Sequence, residues 1–484
     1  MKNKRKNDRR EAASGFLWRF SERILAQGTA FAVSVILARI LQPSLYGTIA
    51  LVTVFTSILQ VFVDSGMGNA LIQKKDADNL DFSSVFYFNI ASCLLLYALM
   101  FAAAPLIAAF YGMAELTPVV RVLSLTLVIS GVKNVQQAYV SRNLLFRKFF
   151  FATLGGTVGA GMIGIWMAYR GFGVWSLVAQ HLFNTAVDTL ILWLTVRWRP
   201  QRIFSPERLR GLFSYGWKLL ASSLLDTGYH SLRSLLIGKI YTSEDLAFFN
   251  RGQQFPNLIV TNINASIDSV LFPTMSREQD DRKRVRHMTR RAIQTSTFIM
   301  APLMIGLAVC AQTLVRLILT EKWLPCVPFL AIYCIAFMFY PIHTANLNAI
   351  KAMGRSDLFL KLEIIKKVIG VLVILITIRI SVMALAWSVL GMSLVGQIIN
   401  SMPNKELLGY GYFDQVSDIL PGIAMAVFMG LCIRLLPRLG LGDFATLMLQ
   451  ILFGAVIYIA GSALCRLEAF RYLLSAAKAF LRRG

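Results

Sequence analysis

Acidic residues are scarce in this chain. Its 484 residues include 25 Asp and Glu against 49 Lys and Arg, and charged residues of both signs make up only 15%. A soluble chain carries about 25% charged residues, so the ordinary soluble class is excluded. Cysteine is sparse as well. Cys93, Cys310, Cys326, Cys334, Cys432 and Cys465 lie scattered, mostly inside apolar segments, with no CxxC or CxxH spacing. That argues against a disulfide framework or a structural metal site. No GxxxxGK[ST] loop occurs, so ATP is not the chain's own energy source. HExxH, GxSxG and paired-carboxylate motifs with a convincing context are missing too, and the chain is not expected to be an enzyme. No polar stretch is long enough to hold a soluble domain.

What fills the chain instead is apolar sequence: 56% hydrophobic residues and a mean hydropathy of +0.61. A bilayer core about 30 Å thick needs roughly 20 mostly apolar residues per spanning helix. Fourteen such stretches follow one another, at about 16–41, 45–64, 83–110, 118–140, 149–169, 173–196, 213–238, 253–274, 291–318, 328–350, 360–378, 382–402, 417–436 and 443–465. Backbone groups in lipid must pair within their own segment, which favours helices. A β-barrel would show alternating strands of about ten residues, and the runs here are continuously apolar. The predicted fold is an all-α, polytopic membrane protein.

The net charge of +24 is dispersed among loops. Nucleic-acid binding would gather it on one patch, so no nucleic-acid partner is expected. The Lys and Arg residues fall mainly in every second gap, about 32 on one side against about nine on the other. Short loops rich in Lys and Arg stay cytoplasmic, which predicts both termini in the cytoplasm. The basic start, from Met1 to Ser14, reads as a cytoplasmic tail rather than a signal peptide. The largest connections, near 197–212 and 275–290, are basic and amphipathic; they rest on the anionic inner leaflet or are simply solvated.

The sequence echoes itself at an offset of about 200. Ile36-Leu37-Ala38-Arg39-Ile40 closes the first span and Leu236-Ile237-Gly238-Lys239-Ile240 the seventh. Asp64-Ser65 ends the second span and Asp268-Ser269 lies in the eighth. Six helices separate the copies, so the repeats are parallel. The expected organisation is two pseudo-symmetric six-helix lobes, 1–212 and 213–412, with a terminal helix pair and basic tail in 413–484.

Ionisable groups within a bilayer are costly and usually face water or a partner. Span seven carries Lys218, Asp226, His230 and Arg233, the last three on one helical face. They read as cavity lining. A proton exchange between Asp226 and His230 and a purely structural pair are the alternatives. Arg19 and Arg23 share a face of span one, where they line the cavity or snorkel to the interface. Lys133 in span four, Asp268 in span eight and His343 in span ten complete the set. Cations outnumber anions, which suits phosphate or acidic sugar; a cation pore would want rings of Asp or Glu.

Three segments carry a resemblance. They are Leu37-Ala38-Arg39-Ile40-Leu41-Gln42-Pro43-Ser44-Leu45-Tyr46-Gly47, Phe248-Phe249-Asn250-Arg251-Gly252-Gln253-Gln254-Phe255-Pro256-Asn257, and Ser269-Val270-Leu271-Phe272-Pro273-Thr274-Met275-Ser276-Arg277. The chain resembles the polysaccharide transporter family of oligosaccharide flippases, of the colanic-acid-exporter type, within the multidrug, oligosaccharidyl-lipid and polysaccharide exporter superfamily. The resemblance implies alternating access by two lobes. An undecaprenyl-diphosphate-linked oligosaccharide would cross the bacterial inner membrane through a cationic central cavity, supplying exopolysaccharide or lipopolysaccharide synthesis. It implies H+ or Na+ coupling or membrane potential rather than a bound cofactor. Membrane lipids, a polysaccharide polymerase and a chain-length regulator are the implied partners. A groove along 417–465 would hold the lipid tail. An ion-coupled multidrug antiporter, a lipid II flippase and a non-transporting membrane scaffold are the rival readings.

Overall fold

The computed structural model describes residues 25–64, 67–143 and 145–481, and every regular element among them is a helix. Arg19 and Arg23 lie outside the described residues. The first helices are α1 (Leu25–Ile40), α2 (Pro43–Asp64), α3 (Met67–Gln73), α4 (Asn79–Tyr111), α5 (Leu116–Leu123), α6 (Leu125–Arg142), α7 (Phe146–Tyr169) and α8 (Val174–Thr195). Next come α9 (Pro206–Ile240), α10 (Ser243–Arg277), α11 (Arg282–Leu319), α12 (Val327–Met338), α13 (Tyr340–Ala352), α14 (Ser356–Thr377) and α15 (Val382–Leu408). The last three are α16 (Tyr412–Ile433), α17 (Asp443–Leu464) and α18 (Glu468–Leu481).

Each of the fourteen expected spans coincides with helix over its described residues. Two of them, spans four and ten, are interrupted, at Ser124 between α5 and α6 and at Phe339 between α12 and α13. Among the described residues, ten helical stretches are long and apolar enough to cross a membrane. The spans outside that set have identifiable reasons. Only 16 residues of α1 are described; α14 begins with Asp357, Lys361, Glu363, Lys366 and Lys367; α9 and α10 carry polar faces. Large apolar side chains such as Leu106, Leu194, Phe413 and Leu464 stand exposed on the helix surfaces. In water such groups would cost free energy; in lipid they are at home.

The expected loop near 275–290 is mostly helix. α10 runs to Arg277 and α11 starts at Arg282, where the Asp281 side chain accepts from Arg284 N at 3.0 Å. An N-cap of this kind starts a helix in water, before the apolar stretch begins. Ser205 does the same for α9, accepting from Arg208 N, with Pro206 at the first helical position.

Helix contacts divide the chain into two units, Met1–Ala247 and Phe248–Gly484. In the first, α7 and α8 form a hairpin, α4 packs on α6, and α9 packs on α2, α3 and α4. One core of this unit joins Leu37 and Leu41 to Val120, Leu123 and Val178; another gathers Leu71, Val85 and Leu192 around the aromatic groups of Phe86 and Trp198. In the second, α11 is the central helix, touching α12, α13, α16, α17 and α18.

The sequence echo has a structural counterpart. Helix α1 ends at Ile40 and α9 at Ile240; both are followed by a two-residue break and a new helix, at Pro43 and at Ser243. The breaks close alike: Leu41 N donates to Leu37 O and Tyr241 N to Ile237 O, both at 2.8 Å. They also meet. A Cβ on Gly47 would sit 1.8 Å from the Ser243 carbonyl oxygen, so glycine permits the approach.

Candidate functional site

Polar residues in the first unit are gathered where α2, α4, α6 and α8 converge. Lys133 Nζ lies 2.8 Å from Asp188 Oδ2, with both side chains about 15% exposed. One helix over, Asn134 Nδ2 donates to Asp64 Oδ1 at 3.3 Å, Gln60 Nε2 donates to the same oxygen at 3.0 Å, and Asn89 Nδ2 donates to Asn134 Oδ1 at 3.2 Å. Lys133 is near enough to act electrostatically on Asp64 as well. Two carboxylates thus share one lysine; amides add hydrogen bonds to Asp64, while Asp188 Oδ1 is buried without one. Such networks satisfy polar atoms that would otherwise be costly away from water.

Helix α9 presents a different surface. Lys218, Ser222, Asp226 and His230 recur every four residues and are exposed. His230 Nε2 stands 3.8 Å from Asp226 Oδ2, with the side chains 70% and 56% exposed. Arg233 is half-buried, with its guanidinium 5.7 Å from the Tyr229 ring centroid. The polar face of α9 is therefore real and open. Its far end is anchored: Lys239 donates to Phe110 O and Tyr111 OH donates to Leu235 O at 3.4 Å.

The second unit carries an exposed polar stripe on α10, through Asn257, Thr261, Ser266, Asp268 and Ser269. Its hydroxyls bond back to their own helix, as Thr261 does to Asn257 O at 2.7 Å. Asp268 Oδ1 accepts from Asn348 Nδ2 at 2.6 Å. His343 lies between α13 and α15, 3.2 Å from Asn400 Nδ2 and 3.5 Å from Ser393 Oγ. Nearby, Asn346, Asn404 and Gln415 form a buried amide cluster with bonds of 2.7 to 2.9 Å.

The structure brings Asp226 and His230 together and sets Lys218 and Arg233 on the same helix. Lys133 is paired with Asp188, Asp268 with an amide, and His343 with an amide and a hydroxyl. Asn89, Asn346 and Gln415 belong to networks that sequence spacing does not reveal, because their partners are 45 to 69 residues away. Arg251 differs from its expected place. Its place just before the expected eighth span, 253–274, sets it among loop cations, yet it is only 6% exposed, stacked 4.7 Å from the Trp323 ring centroid and bonded to Gln254. Its neighbour Gly252 packs on Phe329, a Cβ there falling 2.6 Å from the Phe329 Cβ. This motif is a packing device, so its arginine says nothing of topology. Among the described residues no group of three or more His, Cys, Asp or Glu side chains could hold a metal ion.

At the end of the second unit, α11, α16 and α18 are tied by charge. Arg290 clasps Asp418 through Nε at 2.8 Å and Nη2 at 2.7 Å, and Tyr410 OH donates to the same carboxylate at 2.8 Å. Arg291 reaches Glu468 at 3.0 Å. A cavity of about 280 Å³ lies between these helices, lined by Phe298, Pro421, Gly422 and Leu467 among others.

Helices with polar faces along apolar, membrane-length segments define a polytopic membrane protein with the fold of a transporter. The fold matches a solved structure described as lipid II flippase MurJ, inward closed conformation, with a TM-score of 0.75 at 16% identity, over 94% of this chain and 99% of that one. An inward-facing multidrug resistance MATE family transporter of the MOP superfamily matches with a TM-score of 0.62 at 15% identity, over 79% and 94%. The chain belongs to the polysaccharide biosynthesis protein family, whose profile matches residues 36–328. The family resemblance read from the three motifs is borne out.

Among curated relatives, teichuronic acid biosynthesis protein TuaB of Bacillus subtilis is 26% identical over 63% of this chain and 63% of its own length. Succinoglycan biosynthesis transport protein ExoT of Rhizobium meliloti is 25% identical over 64% and 63%. The chain thus spans just under two thirds of the length of these two. Lipopolysaccharide biosynthesis protein WzxC of Escherichia coli is 23% identical over 88% of this chain and 89% of its own length.

Proposed function

We propose that the chain moves a lipid-linked oligosaccharide, carried on undecaprenyl diphosphate, across the bacterial inner membrane for exopolysaccharide or lipopolysaccharide synthesis. It acts as a carrier, not an enzyme. The observation that carries this reading is the open polar stripe of α9, with Lys218, His230 and Arg233, in a chain of the polysaccharide biosynthesis family. Cations make charge-assisted hydrogen bonds to diphosphate oxygens, and the hydroxyls and amides of α10 suit sugar. The lipid tail stays outside, against the exposed Leu and Phe side chains. Both termini face the cytoplasm, as the Lys and Arg distribution favours. A polysaccharide polymerase and a chain-length regulator would receive the product.

Coupling to H+ fits the first unit. Among the described residues, Asp64 and Asp188 share Lys133, which leaves one carboxylate charge in excess, and a proton would neutralise it. Alternation between two states would then follow the differential affinity of proton and cargo for each state.

The test is rescue of surface polysaccharide in a strain lacking its own exporter, with lipid-linked intermediates measured alongside. The wild-type chain restores export and lowers the intermediates. Asp226→Ala and Arg233→Ala impair both while membrane abundance is unchanged. Wild-type export by both variants sinks the assignment of α9, and no rescue by the wild-type chain sinks the cargo.

A further inference from the structure

A second recess, of about 550 Å³, opens beside the first turns of α11. Lys283, Arg286, His287 and Arg290 line it, at helical spacings of three, four and seven, hence on one face of that helix. Across from them stand Asp414 and Asp418 of α16. Both carboxylates are already engaged. Asp418 holds Arg290 through two bonds, and Asp414 accepts from Gly411 N at 2.9 Å. Among the described residues, no carboxylate lies within ion-pair distance of Lys283 or Arg286. Their neighbours off the recess differ: Arg284 meets Glu278 at 3.1 Å and Arg291 meets Glu468 at 3.0 Å. Charge is matched around the recess and left in excess inside it. Next to the lining residue Tyr410, Gly409 approaches the same guanidinium: a Cβ there would fall 3.6 Å from Arg286 Nη1.

We propose that this recess binds a phosphate-bearing anion, held by Lys283 and Arg286 through charge-assisted hydrogen bonds. His287 adds a third donor, while Arg290, fixed by Asp418, supplies the rigid floor. The site shares no residue with the polar stripes of α9 and α10, and it stands whatever the transported cargo is.

The phosphate has two sources, an anionic lipid headgroup or a soluble phosphate ester, and the experiment separates them. The full-length chain is purified and its affinity measured for phosphatidylglycerol in phosphatidylcholine nanodiscs and, separately, for inorganic pyrophosphate. Lys283→Gln/Arg286→Gln weakens binding about tenfold, as expected for the loss of two solvent-exposed ion pairs. Arg284→Gln leaves it unchanged, and Lys283→Arg/Arg286→Lys retains most of it. A loss seen with phosphatidylglycerol alone assigns a lipid headgroup; a loss with pyrophosphate assigns a soluble phosphate. If the double Gln variant does not fold, Lys283→Gln alone is measured, with about a threefold loss expected. Binding of both probes unchanged in the Gln variants overturns the proposal, as does an equal loss in Arg284→Gln.

Discussion

Replacing Asp188 by Asn should strand the Lys133 ammonium inside the first unit. At 2.8 Å and an effective dielectric of about 20, the gross attraction of the pair is about 6 kcal/mol. Desolvation of both ions offsets much of that when the pair forms. It does not when one partner is deleted, because the survivor stays buried without its counter-charge; such deletions cost about 3–5 kcal/mol. With each side chain about 15% exposed, some water reaches Lys133, and Asp64 offers partial compensation, so about 3 kcal/mol is expected. Lys133→Met should cost a similar amount by leaving Asp188 alone. The double variant Lys133→Met/Asp188→Leu replaces the pair by apolar groups and should return to within about 1 kcal/mol of wild type. Unfolding titrations in mixed micelles read the four corners of this cycle. Single variants as stable as wild type would refute the buried-pair reasoning. Export measured on the stable double variant then asks a separate question. If it fails to export although it folds, the pair serves transport rather than stability.

Gly47→Ala should destabilise the chain by about 3 kcal/mol, at the upper end of overpacking costs, since the new methyl would meet the Ser243 carbonyl at 1.8 Å. Gly28→Ala, with nothing within 4 Å, is the control; equal stability of the two in the same titration would count against the approach of the breaks. Asp78 caps α4, its side chain accepting from Asp81 N at 3.0 Å. That bond, with Arg208 nearby, holds its carboxyl below the usual value of 3.8. Its contribution is therefore complete above about pH 4 and fades as pH falls through the lowered folded value. Asp78→Ala should cost about 1 kcal/mol at neutral pH and progressively less in acid; a penalty that grows on acidification would reverse the sign of this argument.

Much of the architecture is legible in the sequence because lipid leaves the backbone few choices. Every long apolar run is helix over its described residues, and the polar stripe on α9 follows from residue spacing alone. Breaks inside spans are only partly legible. Ser124 is no helix breaker by type and no proline stands beside it, whereas the break at Phe339 precedes Pro341, which has no N–H to continue the ladder. The pairing of charges is not legible. Lys133 and Asp188 are 55 residues apart, and only the meeting of α6 with α8 makes them partners. Arg251 shows the same limit from the other side: a cation next to a helix start reads as a loop charge until Trp323 is seen beneath it.

The meeting of the two helix breaks bears on how such chains can be recombined. The turn at 41–42 and the turn at 241–242 are copies of one another, yet their contact is lopsided: glycine at 47 meets backbone at 243, while the residue matching Gly47 in the second copy is Ala247. The first copy therefore supplies the gap and the second copy supplies the ridge. A hybrid whose junction falls between 47 and 236 inherits a lock cut for another key. Grafts that carry 37–47 and 236–247 from the same parent should assemble, and grafts that split them should not.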